Sequence, residues 1–187
     1  MKSIKKENLM PTIVLGTICI VVAAVLALLN MLTAPAIAEE TERRQTQSLT
    51  DAFPSEAAYA DLAFEELTEL SDVPDTVTGV YREKGGRGYA VLLSTKTNFT
   101  ASGTAMNITV AVDTEGKILG ICLTSYTESK DIGKDSYPKE FYGKDKEAVE
   151  ATPHVSGASY SSRAFRAALA DALAVLESNG LTGGGAS

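Results

Sequence analysis

Between Pro153 and Ser162 the chain runs Pro-His-Val-Ser-Gly-Ala-Ser-Tyr-Ser-Ser. The hydroxyls of Ser156, Ser159, Ser161 and Ser162, with Gly157 and Ala158 among them, sit on a turn that opens onto an alanine-rich helical stretch. A helix start has unpaired N–H groups and the positive end of the helix dipole, so it favours an oxygen acceptor. That acceptor can be a serine side chain acting as a cap, or a phosphate held by the turn. Residue type alone leaves both readings standing.

Other chemistry is poorly supplied. His154 is the single histidine, and it lies too close to Ser156 and Ser159 for a nucleophile and base to align across one turn. The Ser156-Gly157 pair also lacks the strand-Gly-x-Ser-x-Gly-helix setting of a nucleophile elbow. Glu128, Asp131 and Asp135 could supply a carboxylate pair, but such a run reads first as a solvated loop. Cys19 falls in an apolar block and Cys122 in an expected strand, too far apart to pair. Without a CxxC or a Cys/His cluster, no side-chain zinc or haem site is expected, and no catalytic residue is assigned.

The elements that must position the serine turn fall into two kinds. Strands are expected at 76–81 and 89–94, joined by the glycine-rich stretch 84–88, and at 106–112 and 117–123, joined by Asp113-Thr114-Glu115-Gly116. Helices are expected over 57–70, around 139–142, and over 162–177, where Phe165, Leu169, Ala172, Leu173 and Leu176 keep helical spacing. Gly180 is placed to end that last helix. The long polar connection from Thr124 to Tyr137 has a length that often carries function. The fold class is α+β, a small, mainly antiparallel sheet with helices against it.

Residues Leu9 to Leu32 form an uncharged apolar run. As a helix it would be ~36 Å long, enough to cross a hydrocarbon core of ~30 Å. Lys2, Lys5 and Lys6 precede it, and Glu39 and Glu40 follow, which places the N-terminus in the cytoplasm and the body outside. Ala36-Ile37-Ala38 offers the alternative of signal cleavage, although the apolar run exceeds the usual h-region. Past residue 8 the chain has 14 basic against 23 acidic residues, which argues against a nucleic-acid partner. The organisation expected is a tail at 1–8, a membrane helix at 9–32, a stalk and short helices at 33–72, the main domain at 73–178 and a flexible end at 179–187.

Ser156-Gly157-Ala158-Ser159-Tyr160-Ser161 resembles the S-G-A-[T/S]-x-[T/S] flavinylation motif of FMN-binding domains. The start Leu32-Thr33-Ala34-Pro35-Ala36-Ile37 after one membrane helix, and the hairpin Asp113 to Gly120, are similar to the G subunit of the Rnf ion-translocating ferredoxin:NAD oxidoreductase. That subunit is related in turn to the C subunit of the sodium-pumping NADH:quinone oxidoreductase. Thr127 to Gly133 stands where that family has an E-T-P-G-L-G loop, keeping Glu128 and Gly133 but not the Thr-Pro-Gly centre. Pro153 stands where the family commonly has aspartate.

The resemblance implies FMN held covalently as a phosphoester on Ser159, with Ser156, Gly157, Ala158, Ser161 and Glu128 as further cofactor-binding positions. It implies an electron-carrying subunit on the extracytoplasmic side of the cell membrane, rather than an independent catalyst. Its partners would be other membrane subunits of a redox complex and a separate flavin transferase for maturation. Two other readings remain open. One is an anchored module of this fold that carries no flavin and serves in assembly or ligand binding; the other is a processed, secreted domain.

Overall fold

The computed structural model describes residues 9–55, 59, 61–96, 105–125, 132 and 136–183. The elements run α1 (Leu9–Ala52), β1 (Phe64–Glu66), β2 (Val77–Glu83), β3 (Tyr89–Lys96), β4 (Ala105–Val112), β5 (Ile118–Ser125), α2 (Ser136–Lys139), α3 (Lys146–Ala151) and α4 (Ser159–Ser178). The chain divides into two units, Met1–Gln45 and Thr46–Ser187.

In the first unit α1 is a single helix that passes through Pro35 without a break. Its apolar residues, among them Ile20, Leu26 and Leu32, are exposed. It is long and apolar enough to cross a membrane, with a mean hydropathy of 2.7 over its most apolar window. Where the helix becomes polar, Glu40 accepts hydrogen bonds from Arg43 and Arg44 at 2.9 and 2.7 Å, one helical turn away.

The second unit is built on a five-stranded antiparallel meander in the order β1-β2-β3-β4-β5. Strands β3 and β4 pair in continuous register from Tyr89 opposite Val112 to Lys96 opposite Ala105. The β4–β5 turn follows its local chemistry. Asp113 Oδ1 accepts from the backbone N–H groups of Glu115 and Lys117 at 2.9 and 2.8 Å, and Gly116 takes φ 86°. Both sheet faces are covered, which is why β4 is buried along nearly its whole length rather than on alternate residues.

On one face, α4 lays Phe165, Leu169, Ala172, Leu173 and Leu176 over Val80, Val91, Leu93, Ile108 and Val110. Tyr137, Phe141 and Phe165 close this core as three mutually contacting rings, with centroids 5.1–5.7 Å apart. On the other face, Leu49, Ala52 and Phe53 pack against Ala90 and Ala111. Gly120 permits that approach, because a Cβ there would lie within 2.3 Å of the Ala52 carbonyl oxygen.

Several elements differ from the sequence reading. Apolar spacing over 57–70 predicts a helix, yet Phe64–Glu66 is a strand paired with residues 81–83. The partial apolar face there (Leu62, Phe64, Leu67, Leu70) reflects packing at a sheet edge instead. The short helix expected at 139–142 lies at Ser136–Lys139. Helix α3 has no counterpart in the sequence reading, although Asp145 caps it by accepting from Ala148 N at 2.9 Å. Helix α4 begins three residues earlier than expected, at Ser159. It ends as expected at Gly180, where the N–H groups of Gly180 and Leu181 reach the carbonyls of Glu177 and Leu176.

Candidate functional site

The serine turn bridges α3 and α4. Thr152 closes α3, and it is fixed from three sides. Its hydroxyl donates to the Ala148 carbonyl and accepts from Lys144 Nζ, each at 2.8 Å, and its own carbonyl accepts from Arg166 Nη1 at 2.6 Å. Pro153 and His154 follow on the surface, and Val155 packs partly into the core.

Val155 to Ala158 then forms a tight turn. The Ala158 N–H reaches the Val155 carbonyl at 3.1 Å, and Gly157, third in the turn, has φ 78°. A side chain at that φ would be strained, so the motif needs glycine there. Ser156 occupies the exposed corner.

The structure separates hydroxyls that residue type alone left equivalent. Ser162 is fully buried. Its Oγ donates to the Ala158 carbonyl at 2.8 Å and accepts from the Val155 N–H at 3.3 Å, bracing the turn from inside. Ser161 is also buried. Ser156 and Ser159 are exposed, and no hydrogen bond to the Ser159 hydroxyl occurs among the described residues.

Of the two readings left open, a serine side chain at the N-cap is not what the fold uses. Ala158 is the N-cap of α4, and no side chain caps the helix from that position. Alanine has no side-chain oxygen to offer, so the cap position leaves the N–H groups of the first turn of α4 without a side-chain acceptor from that residue. Ser162 cannot replace the cap, because its hydroxyl is already engaged inside.

Basic side chains gather around this helix start. Arg163 is exposed one turn after Ser159, and Arg166 follows on the next turn. The spacing i, i+4, i+7 puts all three on one helix face. His154 is held below the usual imidazole value by the cost of charging it where it sits, then by Arg166 and Arg163. Both arginines therefore lie near it. Beneath the same turns the Tyr137 hydroxyl is buried. It lies beside Ser162, and burial pushes its pKa up, partly offset by Arg166 and reinforced by Glu140.

The remaining expected position, Glu128, lies outside the described residues, as do Asp131 and Asp135. Sequence reasoning did not single out Arg163, Arg166 or Tyr137. The first two were visible in principle, as basic residues at helical spacing from Ser159.

No curated protein matches the chain. Residues 102–174, which include β4, β5 and the serine turn through most of α4, match the model of the FMN-binding domain family and support a flavin-binding module over that stretch.

Proposed function

We infer that this chain is an electron-carrying subunit of a membrane-bound, ion-translocating redox complex of the Rnf type. In this reading it holds FMN outside the membrane as a phosphoester on Ser159. One observation carries the proposal. Ser159 presents an exposed hydroxyl, without a hydrogen-bond partner among the described residues, on the first residue of a helix whose N-cap supplies no side-chain oxygen, inside the stretch matched to the FMN-binding domain.

The residues fit the phosphate of FMN. Free N–H groups at a helix start favour an anion by about 0.3–1 kcal/mol at an exposed site. Gly157 keeps the turn small, and Ser162 locks it, so the Ser159 hydroxyl is held on a fixed edge rather than a loose loop. Attachment requires the Ser159 oxygen to bond to phosphorus while its proton and a leaving group on the phosphorus depart. The chain shows no nucleotide fingerprint of its own, so a separate flavin transferase performs that step. Once bound, FMN supplies one-electron and two-electron redox chemistry. The protein's task is to hold it in place near neighbouring membrane subunits, with α1 as anchor and Lys2, Lys5 and Lys6 on the cytoplasmic side.

The test is direct. The full chain is produced together with a flavin transferase, denatured, and inspected for flavin fluorescence and intact mass. The protein band should fluoresce and carry the added mass of FMN less water, and Ser159→Ala should remove both signals. A wild-type mass equal to that of the bare chain would overturn covalent attachment.

A further inference from the structure

Outside the serine turn the chemistry is thinner. A cavity of about 430 Å³ lies among Glu115, Asp145, Glu147, Glu150 and Glu177 with Lys146, but it is only an acidic cluster. A cavity of about 300 Å³ by Arg82 and Asn179 has its polar groups at the surface. Cys122 is a lone, partly buried thiol. The basic edge beside α4 goes further than any of these.

We propose that Arg163, flanked by Arg166 and His154, is a positioning residue that recognises the phosphate group of a flavin mononucleotide at Ser159. This rests on the flavin reading above and names the side chains that would orient the phosphate. The chain as a whole is acidic, with a net charge of −7, so a local group of basic side chains is set against its surroundings. Arg163 is exposed and makes no hydrogen bond or ion pair among the described residues. Arg166, in contrast, is tied by its 2.6 Å bond to the Thr152 carbonyl. That bond fixes one charge near the turn and leaves the other free to close on a ligand.

Beneath the turn the buried Tyr137 hydroxyl lies beside Ser162 and Arg166, so the inner side of this helix start is packed and fixed while Arg163 stays on its outer side. A guanidinium also suits the task, because its planar fork matches two phosphate oxygens at once.

The experiment uses the full chain in detergent, prepared without a flavin transferase, titrated with FMN and separately with riboflavin, which lacks the phosphate. Binding is read by quenching of flavin fluorescence, and inorganic phosphate serves as competitor. FMN should bind more tightly than riboflavin, and phosphate should compete only with FMN. Arg163→Gln should weaken FMN about tenfold or more, as expected for one charge-assisted hydrogen-bonded contact, while riboflavin binding and the melting temperature stay as in wild type. Arg163→Lys should recover part of the loss.

Unchanged FMN affinity in Arg163→Gln would overturn the role of Arg163 and leave the flavin reading standing. The role of Arg163 falls in the same way if a chain that becomes flavin-labelled under co-expression shows no preference for FMN over riboflavin. A chain that neither binds FMN nor becomes labelled would overturn both.

Discussion

The Glu83 carboxylate is 1% exposed and remains charged because Arg87 holds it. The guanidinium donates to Oε1 at 2.8 Å, and the Arg87 backbone N–H donates to Oε2 at 3.0 Å. The guanidinium contact is the main cause that holds the carboxyl down at about 2, against burial, which pushes it up. A depressed pKa stabilises the fold fully above the ordinary value of 4.5 and loses that contribution as pH falls toward 2. The melting temperature should therefore drop across that window. Glu83→Gln should flatten that part of the profile, while lowering stability at neutral pH by about 1.5–3 kcal/mol. Neither residue stands out in the sequence, where the first hairpin strand is expected to end before Glu83. The serine turn was more legible. Gly157 and the hydroxyl run were visible, but which serine faces inward depends on the packing of Val155 and Phe165, and residue type does not encode that.

Among the elements, the contact of Gly120 with Ala52 sets how closely the end of α1 lies on the sheet. Gly120→Ala would place a methyl group against a backbone carbonyl that cannot rotate away. Overpacking of this kind costs about 1–3 kcal/mol, to be read as a lower midpoint in thermal or urea unfolding. Flavin attachment at Ser159 should persist in the folded variant, because α4 covers the opposite face of the sheet. Elements specified by neighbours in sequence were legible, such as the 113–116 hairpin turn and the Gly180 stop of α4. Elements specified by distant partners were not. Phe64–Glu66 has only three residues, too few to show a strand period, and it is a strand because residues 81–83 offer an edge to pair with. The packing of Gly120 is hidden for the same reason, since its partner is far away along the chain.

For the molecule as a whole, the apolar helix was the most legible feature, because an uncharged run of that length is unusual in any soluble domain. Carbonate washing of membranes should leave the chain in the pellet, and protease added to intact cells should digest the body while sparing an N-terminal tag. Digestion of the tag in place of the body would overturn the proposed orientation. Pro35 bears on how such a span would sit. It has no N–H, so the carbonyl of Met31, four residues back, has no donor within the helix. The nearby Thr33 hydroxyl donates to Leu29 instead, at 2.9 Å. An acceptor without a donor costs several kcal/mol in hydrocarbon and little in water. In the proposed membrane-spanning reading, the unpaired Met31 carbonyl therefore favours placing this turn of α1 at the watery end of the span, with one proline marking the waterline.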